Sequence, residues 1–292
     1  MNCKICESQS TKIIYTGKLR NGAVGFHTPT DVDIYQCGNC HVIFHTKLTE
    51  DSFYQSDLYR ESMSEVVSLD NFNAKHDENI QRKLHYTGTT VYRNKLFMDI
   101  GCGGGGYADF INGAAKNVVL VEPNNSFAEQ LRQKGYEVFP YPQDALQKYA
   151  NSIEILTSYD VIEHVDDPLN FLQNVHKLLA PNGRAYIGTP TDYPVLRGLL
   201  GEQFDSFLFT VQHPWVFSRK NLQLMAEKCG FSQAEIKFYQ FFGLGNLLAW
   251  LQFGQPKGDV KYSFISPQLE SLYKADMARE ETAEYLVLEL IK

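Results

Sequence analysis

Five of the six residues from 101 to 106 are glycine, and they stand directly behind an apolar run, Leu96-Phe97-Met98-Asp99-Ile100. Glycines concentrate where the backbone needs a left-handed turn or must come close to another group, here at the junction of a buried strand and a helix. That junction belongs at the carboxyl edge of a parallel sheet, where open α/β folds bind their ligands. From Lys95 onward the pattern agrees. Apolar runs at 118–122, 137–139, 153–159 and 185–188 alternate with amphipathic stretches near 106–114, 125–134, 143–150 and 168–179, the alternation of βαβ units. The last stretch stops at Ala180-Pro181-Asn182-Gly183. A helix over 218–229 with Ser218 as N-cap, a strand near 234–240 and a closing strand over 285–290 complete the reading. The expected fold is a doubly wound, Rossmann-like α/β domain over 93–292, with inserts near 191–217 and 241–280.

At 292 residues, the chain has room for that domain and one small module. Two cysteine pairs, Cys3/Cys6 and Cys37/Cys40, enclose β-type runs at 12–15, 32–35 and 42–44, with Gly22 and Gly25 at the turns. No apolar signal core stands behind a basic start, and no apolar stretch reaches the ~20 residues of a membrane span. A cytoplasmic protein is expected, and there paired cysteines read as a metal site before a disulfide set. Two Cys-x2-Cys turns can direct four thiolates at one tetrahedral ion, so residues 1–50 read as a zinc-binding module. Four thiolates leave the ion no open position, which makes a structural zinc the first reading, with iron or metal-free cysteines as alternatives. His41 and His45 lie close by but find no vacancy. Residues 51–92 read as a helical connection. Its aromatics Phe53, Tyr54 and Tyr59 are scattered, Val66, Val67, Leu69 and Phe72 follow at mixed spacing, and a helix runs through Ile80 and Leu84.

The glycine run leaves two ligand readings. Gly101, Gly103 and Gly106 satisfy G-x-G-x-x-G, and Glu122 lies about 20 residues on, as a dinucleotide site requires. Charge favours another ligand. Asp99 would repel a pyrophosphate, whereas the ammonium and sulfonium of S-adenosylmethionine suit an acidic strand end. A tight turn without a ligand needs only one or two glycines. The formal net charge is −7 with pI near 5.6, and no Lys/Arg-rich run is available to follow a phosphate backbone, so nucleic acid is not the expected partner.

The series Asp99-Ile100-Gly101-Cys102-Gly103-Gly104-Gly105, Val121-Glu122-Pro123, Val161-Ile162-Glu163-His164-Val165-Asp166-Asp167-Pro168 and Leu178-Leu179-Ala180-Pro181-Asn182-Gly183 resembles the motifs of class I S-adenosylmethionine-dependent methyltransferases over about residues 95–230. The resemblance implies a donor site built from Asp99, Gly101, Gly103, Glu122 and Pro123. In that site Glu122 would hold the ribose hydroxyls, Gln143 and Asp144 the adenine, and Ser158 and Tyr159 would flank the methionine part. A four-cysteine module ahead of such a core, with His213 in the late insert, is similar to methyltransferases that act on sugars in surface-polysaccharide or glycosylated natural-product pathways. No counterpart of the extra C-terminal domain of the longer sugar C-methyltransferases is expected, which puts carbon methylation in doubt and makes a hydroxyl of a nucleotide-linked or glycan sugar the expected acceptor. Ribosomal RNA base methylation is the rival within the class, and a cofactor-binding protein without turnover is the rival outside it.

At the acceptor end, Tyr159, Asp160, Glu163 and His164 follow the fourth strand. A neutral imidazole could take a hydroxyl proton there, which makes His164 and His213 the candidate bases, although His164 could equally hold its loop. The aromatic insert from Phe204 to Phe217 either covers the acceptor pocket or packs on itself. The insert at 241–280 holds Phe241, Phe242, Leu247, Leu248, Trp250 and Leu251, and reads as core or as a homodimer contact.

Overall fold

The computed structural model describes residues 1–47, 49–63, 68–258 and 260–292; Val66 and Val67 of the connection lie outside the described residues. In chain order the strands are β1 (Thr11–Gly17), β2 (Val32–Cys37), β3 (Ile43–Phe44), β4 (Leu96–Ile100), β5 (Asn117–Val121), β6 (Glu137–Phe139), β7 (Ile153–Tyr159), β8 (Leu179–Pro190), β9 (Trp215–Val216), β10 (Gln233–Tyr239) and β11 (Tyr285–Ile291). Seven of them form one sheet in the order β10-β11-β8-β7-β4-β5-β6. Only β11 runs against its neighbours, β8 and β10; β8, β7, β4, β5 and β6 are parallel. The order turns back at β4, which pairs with β5 on one side and β7 on the other, so a crevice opens at its carboxyl end.

The central strands β4, β5 and β7 are buried on both faces, which is why they are almost continuously apolar. Along β4, Met98 and Ile100 enter one core with Phe171 and Val175 of the helix Pro168–Leu178, while Phe97 enters the other with Tyr107 and Phe127. The helices Gly106–Asn112, Asn125–Gln133 and Pro142–Tyr149 lie where the periodicity puts them. The Ala180 to Gly183 turn does something else than separate a helix from a strand. β8 already begins at Leu179, paired with Ile153, and the next pair is Ile155 with Arg184, so the turn is a bulge inside the strand. Asn182 takes φ 61° there, and a Cβ on Gly183 would meet the Ile153 carbonyl at 2.8 Å.

The second sheet has the order β1-β2-β3-β9. Its last strand comes from the late insert: Phe44 pairs with Trp215 and Ile43 with Val216. Phe204 and Leu208 of that insert pack with Leu19, Ile34 and Ile43 of the N-terminal segment and with Trp250 of the second insert. The aromatics of the late insert therefore fill a core between segments rather than covering a pocket. The second insert forms the helices Leu244–Phe253 and Pro267–Arg279, buries Trp250, and leaves Leu251, Phe253, Phe264 and Leu272 exposed. No helix among the described residues is long and apolar enough to cross a membrane.

Candidate active site

A cavity of about 760 Å³ opens at the carboxyl ends of β4, β5 and β7, a size suited to a small-molecule site. Its floor is the glycine turn. Gly101 has φ +73°, and a Cβ there would collide with the side chain of Val161, so glycine is required twice over. Glu122, 4 % exposed, closes the turn from the next strand: Gly103 N–H donates to Oε2 at 2.8 Å and Asn124 N–H to Oε1 at 2.9 Å. Burial pushes its carboxyl above the usual range, opposed by the Arg60 guanidinium and by those two N–H donors. Each carboxylate oxygen still has acceptor capacity for a hydroxyl.

Of the donor-site residues expected from the sequence, Gly101, Gly103, Glu122, Pro123, Gln143 and Tyr159 line the cavity. Asp99, Asp144 and Ser158 do not. Asp99 is 1 % exposed beneath the turn and accepts from the Thr157 hydroxyl at 2.6 Å, with its carboxyl raised by burial. Asp144 is exposed and accepts from Tyr141 N–H at 3.2 Å, a capping contact of its own helix. Asp99 Oδ2, Ser158 Oγ, the Tyr159 hydroxyl and Glu163 Oε1 are buried without a hydrogen-bond partner among the described residues. Such orphans concentrate at functional sites.

The connection supplies a wall that the sequence reading missed. On the helix Leu69–Thr87, Phe72, Asn73, His76, Asn79, Ile80 and Lys83 share one face and line the cavity. Asn73 Nδ2 donates to the Gly104 carbonyl at 2.8 Å. Before that helix, Tyr54, Tyr59 and Arg60 also line the cavity, and Asn124 Nδ2 donates to the Ser56 carbonyl at 3.0 Å. The available signal was a helical spacing (72, 76, 80, 83) that mixes apolar, imidazole and amine side chains, as a pocket wall does and a core stripe does not.

Beyond β7, Asp160 is held at φ 58° with its N–H on the Gly188 carbonyl at 3.0 Å, and it lines the cavity with His164. His213 comes from the late insert to meet His164, ring centroids 4.5 Å apart and perpendicular. A Glu163 carboxylate oxygen and one nitrogen of each ring lie within 4.8 Å of one another. Glu163, 2 % exposed, accepts from the Thr189 hydroxyl at 3.0 Å. Burial pulls His164 down to about 4, with a hydrogen bond to the Gln212 backbone opposing the shift and Arg60 adding to it. His213 is depressed well below its ordinary value by burial and by the neighbouring His164. Both rings are therefore neutral near neutral pH, the form a general base must start from. Tyr86, Tyr193, Phe241 and Tyr285 complete this half, so Phe241 belongs to the pocket rather than to a dimer contact.

The four cysteines converge away from the cavity. Cys3 Sγ lies 3.6 Å from Cys40 Sγ and Cys6 Sγ lies 3.4 Å from Cys37 Sγ, far beyond a disulfide bond, and all four sulfurs fall within 4.8 Å. The edge of a tetrahedron with Zn–S of about 2.3 Å is roughly 3.8 Å, so this donor set fits one zinc. The two turns have the same shape: Glu7 N–H donates to the Cys3 carbonyl at 2.8 Å and His41 N–H to the Cys37 carbonyl at 3.1 Å, with Glu7 at φ 63° and His41 at φ 62°.

A parallel sheet with one reversed strand near its edge, and a glycine turn answered by a buried acid, is the architecture of class I S-adenosylmethionine-dependent methyltransferases. The chain belongs to the methyltransferase family: the family model described as a methyltransferase domain matches residues 72–235. It is 30% identical over 109 residues to a ubiquinone biosynthesis O-methyltransferase of Caulobacter sp. (35% of this chain, 43% of that one). It is 31% identical over 108 residues to the Histophilus somni protein of the same name (32% and 44%). The chain thus spans less than half the length of these relatives. Phosphoethanolamine N-methyltransferase 2 of Haemonchus contortus, solved with S-adenosyl-L-methionine, shares the fold at TM-score 0.53 and 17% identity, over 86% of this chain and 61% of that one. So does a SAM-dependent methyltransferase of Archaeoglobus fulgidus, at TM-score 0.50 and 14% identity, over 80% and 98%.

Proposed function

We propose that the protein transfers a methyl group from S-adenosylmethionine to a hydroxyl of a small molecule, with a nucleotide-linked or glycan sugar as the first-choice acceptor. The observation that carries this reading is the neutral His164 ring at the acceptor end of a cavity whose other end is the glycine turn and Glu122, with the neutral His213 ring packed against it from outside the cavity lining. The donor supplies an electrophilic methyl group. Glu122, Gly101, Gly103, Pro123 and Gln143 hold it, and Tyr159 borders its methionine end. Asp99 acts one layer below by tying β4 to β7 through Thr157, the buried Ser158 lies beside it outside the cavity lining, and Asp144 caps the helix that presents Gln143. The histidine pair receives the hydroxyl proton. His76, Arg82, Lys83 and Asp160 line the cavity and suit a polyhydroxylated or phosphorylated acceptor. A phenolic hydroxyl is the second reading, favoured by Tyr86, Phe241 and Tyr285 in the same cavity and by the name of the relatives. RNA is disfavoured by the formal charge of −7, since binding it brings like charges together.

Cys3, Cys6, Cys37 and Cys40 are assigned to one structural zinc, which requires reduced thiols and thus a cytoplasmic setting. The exposed apolar side of the second insert is where a homodimer contact would form. The reading is tested with labelled donor against a nucleotide-sugar panel, a catechol panel and ribosomal RNA. Label in the sugars is expected, label in the catechols alone selects the second reading, and label in RNA alone overturns both. Glu122→Ala should weaken binding of the demethylated donor by about 1.5–3 kcal/mol through lost charge-assisted hydrogen bonds; unchanged affinity by calorimetry would place the ribose elsewhere.

A further inference from the structure

The loop that carries His213 takes its shape from the N-terminal segment, not from the sheet that carries His164. Arg20 N–H donates to the Phe209 carbonyl at 3.0 Å, and Val211 N–H to the Arg20 carbonyl at 2.9 Å. Gly22 N–H donates to Gln212 Oε1 at 3.2 Å, and Gln212 Nε2 to Asn21 Oδ1 at 2.9 Å. On the other side of His213, His45 N–H donates to the Pro214 carbonyl at 3.1 Å, immediately before Trp215 joins β3 through Phe44.

His45 itself is 3 % exposed and has no place in the cavity. Lys47 N–H donates to its Nδ1 at 3.2 Å, so that nitrogen is the acceptor and the proton sits on Nε2, which donates to the Thr210 carbonyl at 3.1 Å. Both nitrogens of this buried ring are thus spent on backbone, Nδ1 on its own segment and Nε2 on the loop that carries His213. Trp215 reaches the other histidine: its Nε1–H donates to the carbonyl of Val165, next to His164, at 2.7 Å, while its ring stacks on Phe44 at 5.7 Å. The chain of contacts leads back to the thiols. Cys37 N–H is bonded to the Val42 carbonyl at 3.0 Å, so fixing Cys37 and Cys40 fixes the hairpin that continues into β3 and His45.

We propose that the four-cysteine module is a clamp that sets His213 against His164, with His45 and Trp215 as its positioning residues. The proposal rests on the histidine reading given above. The clamp assigns the module a part in the reaction without contact with donor or acceptor: it holds two rings from distant parts of the chain in register. A displacement of about 1 Å at a reacting group can cost on the order of a hundredfold in rate, so a loop anchored only at its ends would not serve.

The test uses full-length protein with ¹³C-labelled histidine, and the variants His45→Leu, His45→Gln and Trp215→Phe. Glutamine can still place an N–H donor near the Thr210 carbonyl; leucine cannot. The inter-ring cross-peak between His164 and His213, assigned with the two alanine variants, is expected in the wild type and His45→Gln and lost in His45→Leu. Affinity for S-adenosylhomocysteine should stay within about twofold, because the donor half is built on the main sheet. Trp215→Phe keeps the stacking and drops one hydrogen bond, so it should shift the His164 resonance without unfolding the chain, and it serves if His45→Leu does not fold. With any hydroxyl acceptor that turns over, His45→Leu should lower kcat about 10- to 100-fold at unchanged donor KM. An intact cross-peak and wild-type kcat in His45→Leu, or an unmoved His164 resonance in Trp215→Phe, overturns the clamp. If His213→Ala leaves kcat unchanged while His45→Leu still loses the cross-peak, the clamp stands and the base assignment falls. If His213→Ala slows turnover but His45→Leu changes neither cross-peak nor rate, the reverse holds.

Discussion

His164→Ala and His213→Ala should each slow methyl transfer by about 10²–10⁴-fold, the usual contribution of a positioned base, while affinity for S-adenosylhomocysteine stays at the wild-type value. The split follows from placement. His164 follows β7 and His213 packs on it from the late insert, whereas the residues that hold the donor lie on the glycine turn and beyond the ends of β5 and β6, with Tyr159 of β7 only bordering its methionine end. The rings act together, so the double variant should be little worse than either single one. The acid limb of kcat/KM carries the sign of the shift. His164 is pulled down to about 4 by burial, so it remains a competent base well below the ordinary imidazole range. The limb should lie nearer pH 4 than 6.5. For the same reason His164 contributes to fold stability in full above about pH 6.5, where it is neutral in both states, and that contribution falls as the pH drops from about 6.5 toward 4. Wild-type rates and an unchanged acid limb in both alanine variants would leave alignment alone as the source of acceleration.

If the four cysteines hold the proposed zinc, its loss should have the largest effect on stability. Structural zinc sites bind with on the order of 10 kcal/mol, comparable to the whole stability of a domain. Cys3, Cys37 and Cys40 are at most 1 % exposed and sit in one continuous core with Phe44, Trp215 and Phe217. Cys40→Ser or chelation should therefore lower the melting temperature by well over ~10 °C, beyond the few degrees that 1 kcal/mol produces. Freshly purified wild type should carry one zinc per chain and Cys40→Ser none. A variant that melts with the wild type, or wild-type protein free of both zinc and iron, would refute the assignment.

The sheet was legible because its signals are local. The central parallel strands β4, β5 and β7 are apolar runs buried on both faces, each flanking helix has its own periodicity, and Gly101 is demanded by its own φ and by Val161. The four cysteines were legible because two short chelating turns can be recognised without knowing the fold between them. What escaped the sequence is what depends on distant pairing. β9 has two residues, too short for any pattern, and it joins β3, legible as the run at 42–44, only because the chain brings the two together. The aromatics of the late insert were correctly seen as apolar, but only packing shows that they serve the core around Trp250. Asn73 and His76 stand on a helix whose cavity-lining face is set by where it docks, which no local pattern shows. Asp99 was read as a ligand because of its place before the glycines; alternation along β4 turns it onto Thr157 instead.

The central claim is that the cavity at the end of β4 holds a methyl donor rather than a dinucleotide. Titration calorimetry of the wild-type protein with S-adenosylmethionine, S-adenosylhomocysteine and NAD measures this directly. Micromolar binding of the first two, absent with NAD and weakened in Glu122→Ala, is the predicted result. Clear heat with NAD and none with either methyl-donor compound would contradict it.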